Sequence, residues 1–156
     1  MSADPRQVPT LPVLVDLDLT TGRTAKVTLF LSIHSATREG PETLDEFLNT
    51  PRRLLPVADP DDATKRELVA RAAIVFVRVM SEISPDSAGV AAPAVDLVKV
   101  ELTNGKTLDG AVQHGLSGSG GARLSDFFNA SPDFFALADT QGVVYVNKRH
   151  VVSITM

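Results

Sequence analysis

The chain repeats itself. Residues 13–24, VLVDLDLTTGRT, and residues 96–107, DLVKVELTNGKT, agree at six of twelve positions. Residues 44–59, LDEFLNTPRRLLPVAD, return as residues 124–139, LSDFFNASPDFFALAD. A third pair follows, LVARAAIVFVRV at 68–79 and YVNKRHVVSITM at 145–156. The offsets are 83, 80 and 77, so length changes fall only between blocks. Three blocks recurring in one order predict a single structural unit used twice.

The bulk properties bound what that unit is. The chain has 156 residues, of which 44% are hydrophobic, enough to bury a core. Each half, taken alone, would be marginal, because small domains bury a smaller fraction of their surface. The halves are therefore expected to pack on one another or on other chains. The net charge of −4 argues against a broad basic footprint for nucleic acid. The absence of cysteine excludes disulfides, thiolate metal sites and cysteine nucleophiles. The first ten residues, MSADPRQVPT, show no signal-peptide pattern, and no apolar run reaches membrane length. A cytoplasmic protein with no membrane association is expected.

Local patterning gives the elements. Residues 1–12 hold three prolines and read as a flexible arm. Val13, Val15, Leu17 and Leu19 alternate with mostly polar neighbours, the period of a half-buried strand. Thr21-Gly22 and Asn104-Gly105 supply turns, so each copy is expected to open with a hairpin, with both Asn and Gly tolerating positive φ. Thr43 and Glu46 fit a capping box before a short helix whose Leu44, Phe47 and Leu48 share a face. Leu124, Phe127 and Phe128 repeat that face, and Phe47 and Phe127 are expected as buried anchors. Asn49 and Asn129 are expected to close these one- or two-turn helices in the left-handed conformation. Leu54-Leu55 and Phe134-Phe135 start a third strand in each copy and are expected in the core.

One segment conflicts with its own propensity. ATKRELVARAAIVFVRV at 63–79 favours a helix by composition. Its partner, GVVYVNKRHVVSITM, is rich in β-branched residues and reads as two strands. Copies of one unit share a fold, so strands are expected in both, and one continuous helix over 63–79 would contradict the repeat. The resulting layout is an arm (1–12), a first β-barrel repeat (13–80), a linker (81–94) and a second β-barrel repeat (95–156).

At this point the second copy resembles the Sm/Hfq superfamily. The segment from Val98 through Asn104-Gly105 to Gly110 is similar to the family's first motif, an apolar strand, a turn and a glycine in a bent second strand. The stretch from Tyr145 to Ile154 is similar to its second motif. The resemblance implies a small five-stranded barrel, and it places Lys148 and His150 at the basic and histidine positions that contact uridine in Hfq. The first copy carries Arg71 and Ala73 there instead, and the helix lies between the second and third strands rather than before the first. The block Leu-Ser-Asp-Phe-Phe-Asn also resembles small bacterial proteins of unknown function with a Leu-x-Asp-Phe-Leu-Asn signature.

The remaining motifs carry little chemistry. Residues 115–121, GLSGSGG, lack the Gly-Lys-Ser/Thr of a phosphate cradle and read as a flexible connection. His34 and His114 are equivalent, but neither has a carboxylate at ligand spacing, and a zinc site needs three or four ligands. Asp61, Asp62, Lys65, Arg66 and Glu67 read as a solvated hairpin tip.

The expectation is therefore a mainly β protein, an internal duplication of a five-stranded Sm/SH3-like barrel unit with a short helix inserted in each copy. Its expected role is non-enzymatic, an interaction or assembly module that binds a protein partner or itself through strand edges. Linked copies give a pseudo-two-fold or supply adjacent subunits of a ring. No cofactor or metal is expected. The alternative is an Sm/Hfq-like RNA-binding protein using Lys148, His150 and Lys106, with Lys106, Arg149, Arg71 and Arg23 converging on one basic surface.

Overall fold

The computed structural model describes residues 10–36, 39–80, 95–113, 121–130 and 132–156. The expected linker, residues 1–9 of the arm, His114 and the loop at 115–120 lie outside the described residues.

The first half runs β1 (Thr10–Leu19), β2 (Thr24–Ser32), α1 (Leu44–Leu48), β3 (Leu54–Ala58), β4 (Arg66–Ala70), a 3-10 turn (Arg71–Ala73) and β5 (Ile74–Val79). The second runs β6 (Val95–Leu102), β7 (Thr107–Gln113), α2 (Gly121–Ala130), β8 (Phe134–Asp139), β9 (Gly142–Asn147), a 3-10 turn (Lys148–His150) and β10 (Val151–Thr155). The protein is mainly β, as expected. Thr10–Pro12, expected in the arm, instead pair with Phe30–Ser32 as the start of β1.

All ten strands form one antiparallel sheet in the order β10-β6-β7-β8-β9-β5-β1-β2-β3-β4. The sheet runs through both halves and does not close. The reason is the junction, where β5 takes β9 as its outer neighbour and their backbone groups satisfy each other.

Repeated sequence produces repeated local geometry. Both opening hairpins turn through a glycine in the left-handed region, Gly22 at φ +85° and Gly105 at φ +84°. Asn104, contrary to expectation, has negative φ. Each loop is a turn whose glycine N–H donates back, Gly22 to Leu19 and Gly105 to Leu102, so one left-handed residue suffices. Leu19 and Leu102 each mark a register shift against β5 and β10. The Arg71 N–H donates to Arg53 O, and the equivalent Lys148 N–H to Asp133 O.

The helices fit the pattern in part. The Thr43 hydroxyl accepts from the Glu46 N–H at 3.2 Å and donates to the Glu46 carboxylate at 3.3 Å. Asn49 sits at φ −97°, ψ 12°, not left-handed, and caps through its side chain, whose amide donates to Asp45 O. Asn129 does the same to Ser125 O. α2 spans ten residues against five in α1, longer than the expected two turns. Residues 66–79 form strands broken by a 3-10 turn, not a helix, because cross-strand pairing and burial of Val69, Ile74, Val75 and Val77 override the local propensity.

Two apolar clusters form the interior. One gathers Val15, Leu17, Leu29, Phe47, Leu48, Leu55 and Val77 with Phe134 from the second half. The other gathers Val98, Val100, Val112, Leu124, Phe128, Phe135 and Leu137 with Val75 from the first half. Each half thus completes the other's core. Phe47 is a buried anchor as expected, whereas Phe127 is only partly buried. Leu54, expected in the core beside Leu55, is exposed.

Candidate assembly edges

The junction between the halves shows what this sheet does with an open strand. Phe76, Val77 and Arg78 of β5 pair with Val146, Tyr145 and Val144 of β9. Around this ladder, side chains close the seam. The Asn49 amide accepts from the Phe134 N–H at 2.8 Å and donates to Phe134 O at 3.2 Å, mimicking one more strand pair. Asn147, itself buried, donates to Ile74 O at 3.0 Å. Arg78 grips Asp139 bidentately at 2.9 and 3.1 Å, and this hydrogen bonding holds the Asp139 carboxyl below its ordinary pKa. Arg71 reaches Asp133 at 2.7 Å. Tyr145 packs against the first core, and burial, reinforced by the Asp45 charge, raises its hydroxyl pKa.

Among the described residues, the outermost strands, β4 and β10, pair with a strand on one side only. A strand edge presents a row of unsatisfied N–H and C=O groups, which natural sheets usually guard with charge, proline, bulges or cover. β10 reads VVSIT and carries neither charge nor proline. Of the large exposed apolar side chains, Leu68 lies on β4, Leu54 on the adjacent β3, Val152 on β10 and Met156 directly after it, while Leu11, Met80 and Leu97 lie off both edge strands. β10 carries one irregularity, a register shift against β6 between Val151 and Ser153.

The residues that the RNA-binding alternative would use have side-chain partners within the chain. The Lys148 ammonium donates to Phe128 O at 2.8 Å, holding the end of α2, just as the Arg71 guanidinium holds Leu48 O at 2.7 Å in α1. Lys106 donates to the buried Asp18 carboxylate at 3.1 Å, where Asn104 adds a second bond at 2.9 Å. His150 lies 2.6 Å from Ala72 O through Nε2, and since a carbonyl only accepts, Nε2 carries the proton. Arg23 pairs with Glu67 at 2.9 Å. Lys106 and His150 both reach across to the first half, so the structure gathers them at the junction. His34 is exposed, its backbone N–H donating to the Ser32 hydroxyl. Phe134 and Phe135 are both buried. Asp59, Asp61, Asp62 and Lys65 form the solvated β3–β4 tip, as expected. Among the described residues no group of three His, Asp or Glu is placed to hold a metal.

The junction residues Asn147, Arg78 and Asp139 were not singled out from sequence, and Asn49 was singled out only as a helix end. A signal for some of them was available: the copies differ in character at Asn147 against Ala70, Arg78 against Thr155 and Asp133 against Arg53. Contacts made once, between the halves, need matching residues in one copy only.

Compared with protein-family models, curated proteins and solved structures, the chain matches none.

Proposed function

We propose that this protein is a non-enzymatic assembly module, two tandem copies of a small Sm/SH3-like barrel unit that bind a protein partner or another copy through open strand edges. The observation that carries this reading is the uncharged, proline-free edge β10, with Val152 and Met156 exposed on it and beside it. The recurring element order, hairpin turns and helix-end bonds support the tandem-unit part of the reading. The RNA-binding alternative draws on Lys148, His150 and Lys106, whose side chains are committed to Phe128 O, Ala72 O and Asp18.

The test is a pair of charged edge variants, Leu68→Lys and Val152→Lys, compared with the native chain. Sedimentation and partner capture should both weaken while far-UV circular dichroism stays the same. Unchanged association and capture by both variants would refute the reading. Salt-sensitive binding of a uridine oligomer, lost in Lys148→Ala, would favour the alternative instead.

A further inference from the structure

The internal junction and the two free edges are related by the sequence repeat. By the offsets of 80 and 77, β5 corresponds to β10, and β9 corresponds to β4. The strands that meet inside the chain are therefore the counterparts of the two strands that, among the described residues, pair on one side only.

Equivalent side chains differ in burial in the way a missing neighbour would produce. Phe134 is 1% exposed, and its counterpart Leu54 is 51%. Val75 is 0% exposed and Val152 is 58%; Val79 is 7% and Met156 is 61%. Leu68, counterpart of the half-buried Tyr145, stands 62% exposed. Phe47 is covered by Phe134 in one cluster, whereas Phe127 is only partly buried in the other. The Asn129 amide already donates to Ser125 O, as Asn49 does to Asp45 O, and its counterpart goes on to bond the Phe134 backbone.

We propose that β10 of one copy pairs antiparallel with β4 of a second copy, head to tail, reproducing the β5–β9 junction between chains. The occupant of each edge is this same chain. Transferring the internal register sets Ser153 opposite Val69, Ile154 opposite Leu68 and Thr155 opposite Glu67 of the next copy. Leu54 of that copy meets Phe127, and its backbone meets the Asn129 amide. The contact uses different surfaces on the two partners, so it closes into a ring or continues as a filament rather than stopping at a dimer. A closed ring holds an even number of half-chain units, because each chain brings two. The contact also lacks one internal feature: Thr155 stands where Arg78 grips Asp139, leaving the equivalent Asp59 without that partner. The inference rests on the edge-binding reading above and names its partner and register.

The absence of cysteine makes the register directly testable on the full chain. Leu68→Cys combined with Ile154→Cys should give, on mild oxidation, a ladder of cross-linked multimers on a non-reducing gel. Cross-strand neighbours lie within disulfide reach. Leu68→Cys combined with Val152→Cys, two residues out of register, should cross-link far less. Native mass spectrometry of the unmodified chain should show species larger than a dimer. Thr155→Arg should lower the concentration needed for assembly several-fold by restoring the ion pair to Asp59. Efficient cross-linking of either single-cysteine variant to itself would overturn the proposal in favour of a symmetric dimer. A monomer that captures a different protein at Val152 would also overturn it while leaving the edge-binding function standing. If Leu68→Lys and Val152→Lys change neither mass nor capture, the function itself falls.

Discussion

Truncating Phe134 to alanine should destabilise the first core, although the residue belongs to the second half. Its ring is 1% exposed and sits in the first cluster, with the Arg71 guanidinium 5.6 Å from its centre. A phenylalanine buries about 150–250 Å², and at about 25 cal/mol per Å² this is worth about 4–6 kcal/mol. Subtracting what alanine retains leaves about 3–5 kcal/mol, the range observed for core phenylalanines. The cation–π contact adds about 0.5–1 kcal/mol. The control is Leu54→Ala at the equivalent position, which is half exposed and should cost no more than about 0.5 kcal/mol. Both should be made on a Leu68→Lys background, so that association between copies does not shield Leu54. Urea titration can follow the single tyrosine, Tyr145, which packs against the first core beside this ring. A difference between the two variants under about 1 kcal/mol would refute the claim that the junction, rather than the local sequence, decides burial at this position.

Gly110→Ala should destabilise by about 1–3 kcal/mol, because a Cβ there would lie 2.7 Å from both Ala138 O and the Leu137 side chain; Val27 fills the equivalent place in the first copy, so Val27→Ala offers a comparison by the same denaturation assay. Lys106→Met removes the ammonium from a carboxylate buried at Asp18 and should cost about 1–3 kcal/mol, much of it recovered in Asp18→Asn with Lys106→Met. Phe47→Ala should cost about 3–5 kcal/mol and Phe127→Ala clearly less, since Phe127 is only partly buried. The Asp139 carboxyl has a folded pKa below its unfolded value, so its contribution to stability is full above about pH 4 and is lost as pH falls through the folded pKa. Acid titration of stability should therefore fall less steeply below pH 4 in Arg78→Met than in the native chain.

The repeat, the hairpin turns and the strand character of residues 66–79 were legible in the sequence because each depends on local periodicity or on comparing one copy with the other. Gly22 and Gly105 fix their turns through backbone freedom that no other residue supplies at φ near +85°. The inward set of Val15, Leu17, Leu29 and Leu31 follows from period two, and Leu44, Phe47 and Leu48 follow from helical spacing. What the sequence could not decide was which equivalent residue is covered. Leu54 and Phe134 stand at matching places in their own halves, yet only Phe134 is buried, because only β9 has β5 beside it. The partners of the basic residues were hidden for a similar reason. Lys148 spends its charge on the end of α2 and Lys106 on Asp18 across the junction, partners 20 and 88 residues away. Local pattern sets which face of a strand is apolar, whereas the pairing of strands distant in the chain sets which apolar faces meet a neighbour and which remain open.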